Sequence, residues 1–154
     1  MKCRSIEQLG EAATVCPAPV MCASERLARW AALLDEFDSY VRLFEQIEYK
    51  PVTLQRASRE DRSPVSIALR DPVLRLQGLG GETYGDAMRF FGISERRMHR
   101  IVCNCHYFHR RIVPSRDVAG QVRVAEARAR RIEKVLSFLG LNPARANRLV
   151  AAMV

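Results

Sequence analysis

The most constraining feature of this chain is an apolar stripe with unbroken helical spacing in its last third. Seven apolar residues recur at steps of four and three, which places them on one face of a long helix. They are Val118, Val122, Ala125, Ala129, Ile132, Leu136 and Leu139. The basic residues of this segment lie off the stripe, and Gly140 follows it as a typical helix-ending residue. The pattern predicts a helix over 118–139.

A second apolar stripe predicts another long helix nearer the N-terminus, with Ser24 as its N-cap. Its large side chains would fit against the alanines and valines of the later stripe, so we expect the two helices to pack together. A neighbouring set, Leu33, Tyr40 and Ile47, leaves apolar surface to cover, which favours a homodimer with this helix at or near the interface. The main stripe comprises Leu27, Trp30, Leu34, Phe37, Val41 and Phe44.

Capping residues divide the rest of the chain into shorter helices. A capping residue precedes a proline at Ser63-Pro64, Asp71-Pro72 and Asn142-Pro143, and each pair predicts a helix start. Thr83 and Gly92 bound another predicted helix, and Ser94 caps one expected to run toward Pro114. No segment reads as a convincing strand. We therefore predict an all-α fold, a compact bundle of six or seven helices over 24–154, preceded by a flexible N-terminal arm over 1–23.

Two segments of the chain are similar to each other. Residues 89–102 read RFFGISERRMHRIV and residues 137–150 read SFLGLNPARANRLV. Each contains a helix end, a glycine, an apolar residue, a new N-cap and a second helix, which predicts two similar αα-hairpins. The first copy resembles the DNA-binding helix-turn-helix family over residues 83–102, with Gly92 in the turn and Ile93 at the buried turn position.

This resemblance implies that the helix after Ser94 reads nucleic acid, with Met98 and Ile101 on its inner face. Glu95, Arg96, His99 and Arg100 would then project outward. The formal net charge of +8, carried mostly by arginine, agrees with a partner that bears phosphates or carboxylates. The residues expected to contact nucleic acid are Arg96, Arg97, His99, Arg100 and Arg110.

The stretch HRIVCNCHYFH, residues 99–109, holds every histidine of the chain and two of its five cysteines. On a continuous helix Cys105 falls on the apolar face, whereas His99, Cys103 and His106 share a more exposed stripe. Seven helical residues span roughly 10 Å, too far for His99 and His106 to bind one ion. The heme-attachment pattern CxxCH is absent. We therefore expect no bound metal or other cofactor. His99, Cys103 and His106 are the candidate ligands if a metal is bound.

The sequence leaves three functions in order of preference. The first is a small non-enzymatic regulatory protein that binds nucleic acid through the basic hairpin. The second is a helical module for an acidic protein partner, and the third is a Cys/His metal, heme or redox sensor. No catalytic constellation is identifiable, and no run approaches the ~18 apolar residues of a membrane span. An odd number of cysteines without a disulfide-type spacing favours the cytoplasm.

Overall fold

The computed structural model describes residues 19–45, 51–57 and 61–142. Within these ranges the chain is mostly helical, with six α-helices and one two-stranded sheet. The helices are α1 (Ala23–Glu36), α2 (Pro64–Arg70), α3 (Pro72–Leu76), α4 (Tyr84–Phe91), α5 (Glu95–Val102) and α6 (Ser115–Phe138). The strands are β1 (Tyr40–Arg42) and β2 (Ile112–Pro114), and short 3₁₀ turns occupy Val52–Leu54 and Asn104–His106.

The predicted packing of the two long helices is confirmed. α1 and α6 run antiparallel, because Ser24 lies beside Glu133 while Asp35 pairs with Arg123. Leu27, Trp30 and Leu34 of α1 are completely buried, and so are the small residues of the α6 stripe from Val118 to Ala129. Large side chains from one helix thus fill the space that alanine and valine leave on the other.

Most of the helix starts read from the sequence are also confirmed, although α1 and α6 begin two and three residues earlier than predicted. Ser63 and Asp71 cap α2 and α3, each followed by proline at the first helical position. α1 begins at Ala23, one residue before its predicted cap. Asp71 also pairs with Arg29 of α1 at 2.8 Å, so one carboxylate serves as a helix cap and ties two elements together. Burial acts to raise the pKa of Asp71, but hydrogen bonds from Arg29 and the Leu74 N–H hold it below its ordinary value.

The predicted extension of α1 through Phe44 is wrong. The helix ends at Glu36, and Asp38 takes a left-handed backbone conformation with φ of +36°. The chain then extends as β1, which pairs antiparallel with β2 in the register Val41↔Val113. Val41 and Leu43 are buried while Arg42 between them is exposed, the alternation of a strand. Val41 and Phe44 continue the helical spacing of the stripe, and a strand of three residues is too short to show an alternation of its own, which is why the sequence showed no strand.

The predicted run of α5 toward Pro114 is also wrong. α5 ends at Val102, and Cys103 is extended, with φ of −94° and ψ of 134°.

At the far end of the chain, Gly140 ends α6 as expected, with φ of +73°, but Leu139 is 63% exposed and lies beyond the helix. The helix expected after Pro143 and most of the second hairpin lie outside the described residues. So do residues 1–18 of the predicted arm; the backbone of Pro19 and Met21 bonds to Gln77.

None of the helices in the described part of the chain is both long and apolar enough to cross a membrane.

Candidate functional site

The hairpin formed by α4 and α5 has the local geometry that its sequence predicts. Thr83 caps α4 and exchanges hydrogen bonds with Asp86, and Gly92 ends the helix in the left-handed conformation with φ of +64°. The Ile93 N–H bonds to the Met88 carbonyl, and the Ile93 side chain is 2% exposed. Ser94 then accepts a hydrogen bond from the Arg97 N–H and starts α5. A left-handed glycine lets the chain reverse without the steric cost that a side chain would add.

The two faces of α5 differ sharply in character. Met98 and Ile101 are completely buried, as the sequence predicted for the inner face. Arg96 on the opposite side is exposed, and Arg100 is half-buried. Arg97, which the sequence also included among the nucleic-acid contacts, is only 9% exposed. The fifth predicted contact, Arg110, is exposed and follows the 3₁₀ turn rather than lying on α5.

Arg97 lies in a wholly basic setting, and its Nε is buried. Its Nε has no hydrogen-bond partner among the described residues. Burial lowers the pKa of Arg97 below its ordinary value, and the nearby charges of Arg100, Arg128 and Arg96 lower it further. Arg128 comes from α6, so two helices bring the four residues together. We call Arg96, Arg97, Arg100 and Arg128 the arginine cluster.

The four arginines of the cluster lie together without an acidic partner. Several isolated arginines, such as Arg42, Arg75 and Arg116, also have no ion pair in the described part of the chain, but they are not grouped with other arginines in this way. Six other arginines lie beside carboxylates; the pairs are Arg29–Asp71, Arg56–Glu82, Arg89–Asp86, Arg111–Glu45, Arg123–Asp35 and Arg130–Glu126. In the described ranges no carboxylate lies within ion-pair distance of any member of the cluster. An anion from another molecule would therefore be the counterion that the fold does not supply.

The histidines beside this cluster lie much closer together than a continuous helix allows. His99 Nδ1 is 3.0 Å from His106 Nε2, where the sequence predicted a separation too large for one ion. The prediction failed because α5 ends at Val102 and the 3₁₀ turn brings His106 back over His99. Cys105 joins them: one ligand atom from each of the three residues lies within 4.8 Å of the others.

Three hydrogen bonds fix the turn that carries Cys105 and His106. The Phe44 N–H bonds to the Val102 carbonyl and the Asn104 N–H to the Phe44 carbonyl, forming a bridge between Phe44 and Cys103. The Tyr107 hydroxyl donates to the Ile101 carbonyl at 2.9 Å. The ring of Phe44 packs edge-on against His99, with centroids 6.1 Å apart. Main-chain contacts from the distant residue Phe44 therefore help to determine where Cys105 and His106 lie.

The two cysteines exchange the roles that a continuous helix would give them. Cys103 is completely buried, although the sequence placed it on the exposed stripe with the histidines. Cys105 is partly exposed, although the sequence placed it on the apolar face. Phe108 and His109, which a continuous helix would place on that same apolar face, are exposed and left-handed, with φ of +55° and +58°. The helical periodicity of this segment ends at Val102, because the chain leaves the helix at Cys103.

A polar cleft of about 140 Å³ lies on the other side of Phe44. Arg42, Gln55 and Tyr84 are among its lining residues, and Gln55 Nε2 is buried without a hydrogen-bond partner in the described ranges. Burial raises the pKa of Tyr84 above its ordinary value. Sequence reasoning missed this cleft because its walls come from separate loops and elements with no common motif. The sequence analysis also missed Arg128, because nothing in the pattern of α6 indicates that this arginine lies near α5.

No protein-family model, no curated protein and no solved structure matches this chain.

Proposed function

We propose that this chain is a small non-enzymatic regulatory protein that binds nucleic acid through α5, with backbone phosphates on the arginine cluster. The observation that carries the proposal is Arg97, a residue only 9% exposed whose charged neighbours are all arginines. Even partial removal of a cation from water is unfavourable unless an anion compensates. The folded chain therefore holds four positive charges together without a counterion. A bound phosphate would offset the repulsion between them.

The position of the arginine cluster on α5 favours nucleic acid over a small anion. Arg96 lies in the first turn of α5, and the N-terminal residues of a recognition helix are those that reach base edges in the helix-turn-helix family. Arg100 lies one turn further along, and Arg128 extends the positive surface onto α6. A series of cations spread over two helices can contact successive phosphates of one strand.

We assign the phosphate contacts to arginines and no longer include His99 among them. The sequence included His99 among the nucleic-acid contacts, but its ring faces His106 and Phe44. Arg96, Arg97, Arg100 and Arg110 keep the role given to them by the sequence, and Arg128 is added. The expected homodimer belongs to the same proposal, because helix-turn-helix proteins commonly bind paired half-sites. Since α1 is covered by α6, its buried stripe is not available to a second copy.

A binding titration tests this function. We expect the chain to bind a mixed pool of fluorescent duplexes at about 50 mM salt and to lose affinity steeply as the salt concentration rises. Arg96→Ala and Arg100→Ala should each weaken binding several-fold and lower the slope of log K against log salt by about one. Arg75→Ala is the matched control, because Arg75 is exposed on α3 and lies outside the arginine cluster.

Circular dichroism should show the same helical signal for all three variants, so that a loss of binding reports the contact and not the fold. Equal weakening by Arg75→Ala would mean that only net charge matters, and the assignment to α5 would then be wrong. Binding to polyglutamate without binding to DNA or RNA would overturn the proposal in favour of an acidic protein partner.

A further inference from the structure

We infer that His99, Cys105 and His106 form a binding site for a transition-metal ion of the zinc class. The two imidazole nitrogens are 3.0 Å apart, and the three potential ligand atoms all lie within 4.8 Å of one another. An ion with bonds of about 2.0–2.3 Å in tetrahedral geometry holds its ligand atoms roughly 3.3–3.8 Å apart. Small side-chain rotations would therefore bring the three ligand atoms into position around one ion.

The chemistry of the three ligands selects the kind of ion. Imidazole nitrogen and thiolate sulfur suit Zn²⁺, Co²⁺, Ni²⁺ and copper, whereas Mg²⁺ and Ca²⁺ require oxygen ligands. Three protein ligands leave a fourth tetrahedral position for water. His106 is exposed and the other two residues are partly exposed, so an ion can enter from solvent.

The backbone around the site already holds the ligands in place. His99 belongs to the last turns of α5, and the Tyr107 hydroxyl bonds the following turn to the carbonyl of Ile101. The bridge between Phe44 and Cys103 fixes the point where the chain leaves the helix. When neighbouring hydrogen bonds already hold the ligands in position, ordering them costs little free energy as the ion binds.

The local charges set limits on the affinity. Arg100 lies close enough to His106 to act on it electrostatically, and its positive charge opposes a divalent cation. The Cys105 thiolate supplies a negative charge that offsets this repulsion when the ion binds. The inference does not depend on nucleic-acid binding, since it rests on the side chains of α5 and the 3₁₀ turn alone.

A cobalt titration of the full chain tests the site. Co²⁺ bound to thiolate and imidazole gives a sulfur-to-metal charge-transfer band and the visible absorption of tetrahedral cobalt. We expect one Co²⁺ per chain, displaced by Zn²⁺. Cys105→Ser should remove the charge-transfer band, and His106→Ala should weaken Co²⁺ binding at least about tenfold.

Two control variants are available in the same chain. His109→Ala removes an exposed histidine three residues from the site, and Cys22→Ser removes a thiol bonded to Glu133. Both should titrate like the original chain, and circular dichroism should show an unchanged helical signal in all four variants. Absence of the charge-transfer band in the original chain, its survival in Cys105→Ser, or its loss in Cys22→Ser would each overturn the inference.

Discussion

Replacing Trp30 with alanine is expected to lower the free energy of unfolding by about 4 kcal/mol. Trp30 is completely buried at the centre of α1 and stacks on Phe91 of α4, with ring centroids 4.5 Å apart. Its indole N–H also donates to the Pro64 carbonyl at 2.9 Å, at the start of α2. Truncation would therefore remove the side chain that joins three helices, leave a cavity and lose the hydrogen bond to the Pro64 carbonyl.

Urea unfolding followed by circular dichroism measures this loss independently of tryptophan fluorescence. Trp30→Phe should recover part of the stability, because a smaller ring can still stack on Phe91 but cannot bond to Pro64. Phe138→Ala is the control, since Phe138 is 90% exposed and its truncation should change stability by no more than about 0.5 kcal/mol. A loss below about 1 kcal/mol in Trp30→Ala would contradict the packing described for α1.

Replacing Glu133 with alanine is expected to cost about 3 kcal/mol, the second-largest effect we predict. The Glu133 carboxylate is buried on α6 and accepts hydrogen bonds from the Ser24 N–H at 2.9 Å and from the Ser24 hydroxyl. The Cys22 thiol donates to it at 3.4 Å. Glu133 thus supplies a negative charge to the first turn of α1, where free N–H groups and the helix dipole favour one.

The same unfolding measurement with two further variants separates this role from surface charge. Glu133→Gln keeps an acceptor for the Ser24 N–H and should lose less stability than alanine. Glu82→Ala, whose side chain is 73% exposed and pairs with Arg56, should change stability by about 0.5 kcal/mol or less. Equal losses from Glu133→Ala and Glu82→Ala would show that the hydrogen bonds to α1 contribute nothing.

The starts of helices were predictable from the sequence because their signals are local. Ser63-Pro64 and Asp71-Pro72 each place a side-chain oxygen and a fixed proline angle within a few residues of the backbone they affect. The end of α4 was predictable for the same reason, because it depends only on the left-handed conformation of Gly92. The packing of α1 on α6 was predictable too, since both stripes are long and periodic.

The ends of α1 and α5 were not predictable in the same way because they depend on contacts between distant segments. Val41 pairs with Val113, more than seventy positions along the chain, and the Phe44 backbone bonds to Asn104 and Val102. Three-residue strands leave too short a pattern to separate from a helix. The cluster of His99, Cys105 and His106 forms because the chain leaves the helix at Cys103. The sequence analysis assumed a continuous helix and therefore placed the two histidines too far apart.

The central claim is that Arg97 is held buried for an anionic partner, and Arg97→Met tests it most directly. Methionine fills similar space without charge, so it removes both the desolvation cost and the repulsion from the other three arginines. We expect the free energy of unfolding to rise by about 1 kcal/mol while nucleic-acid affinity falls about tenfold. The measurement pairs urea unfolding with the duplex titration on the same variant.

A variant that becomes more stable and binds more weakly is the result this account predicts. A variant that loses stability and binds nucleic acid as tightly as the original chain would show that Arg97 serves only the fold, and would contradict it.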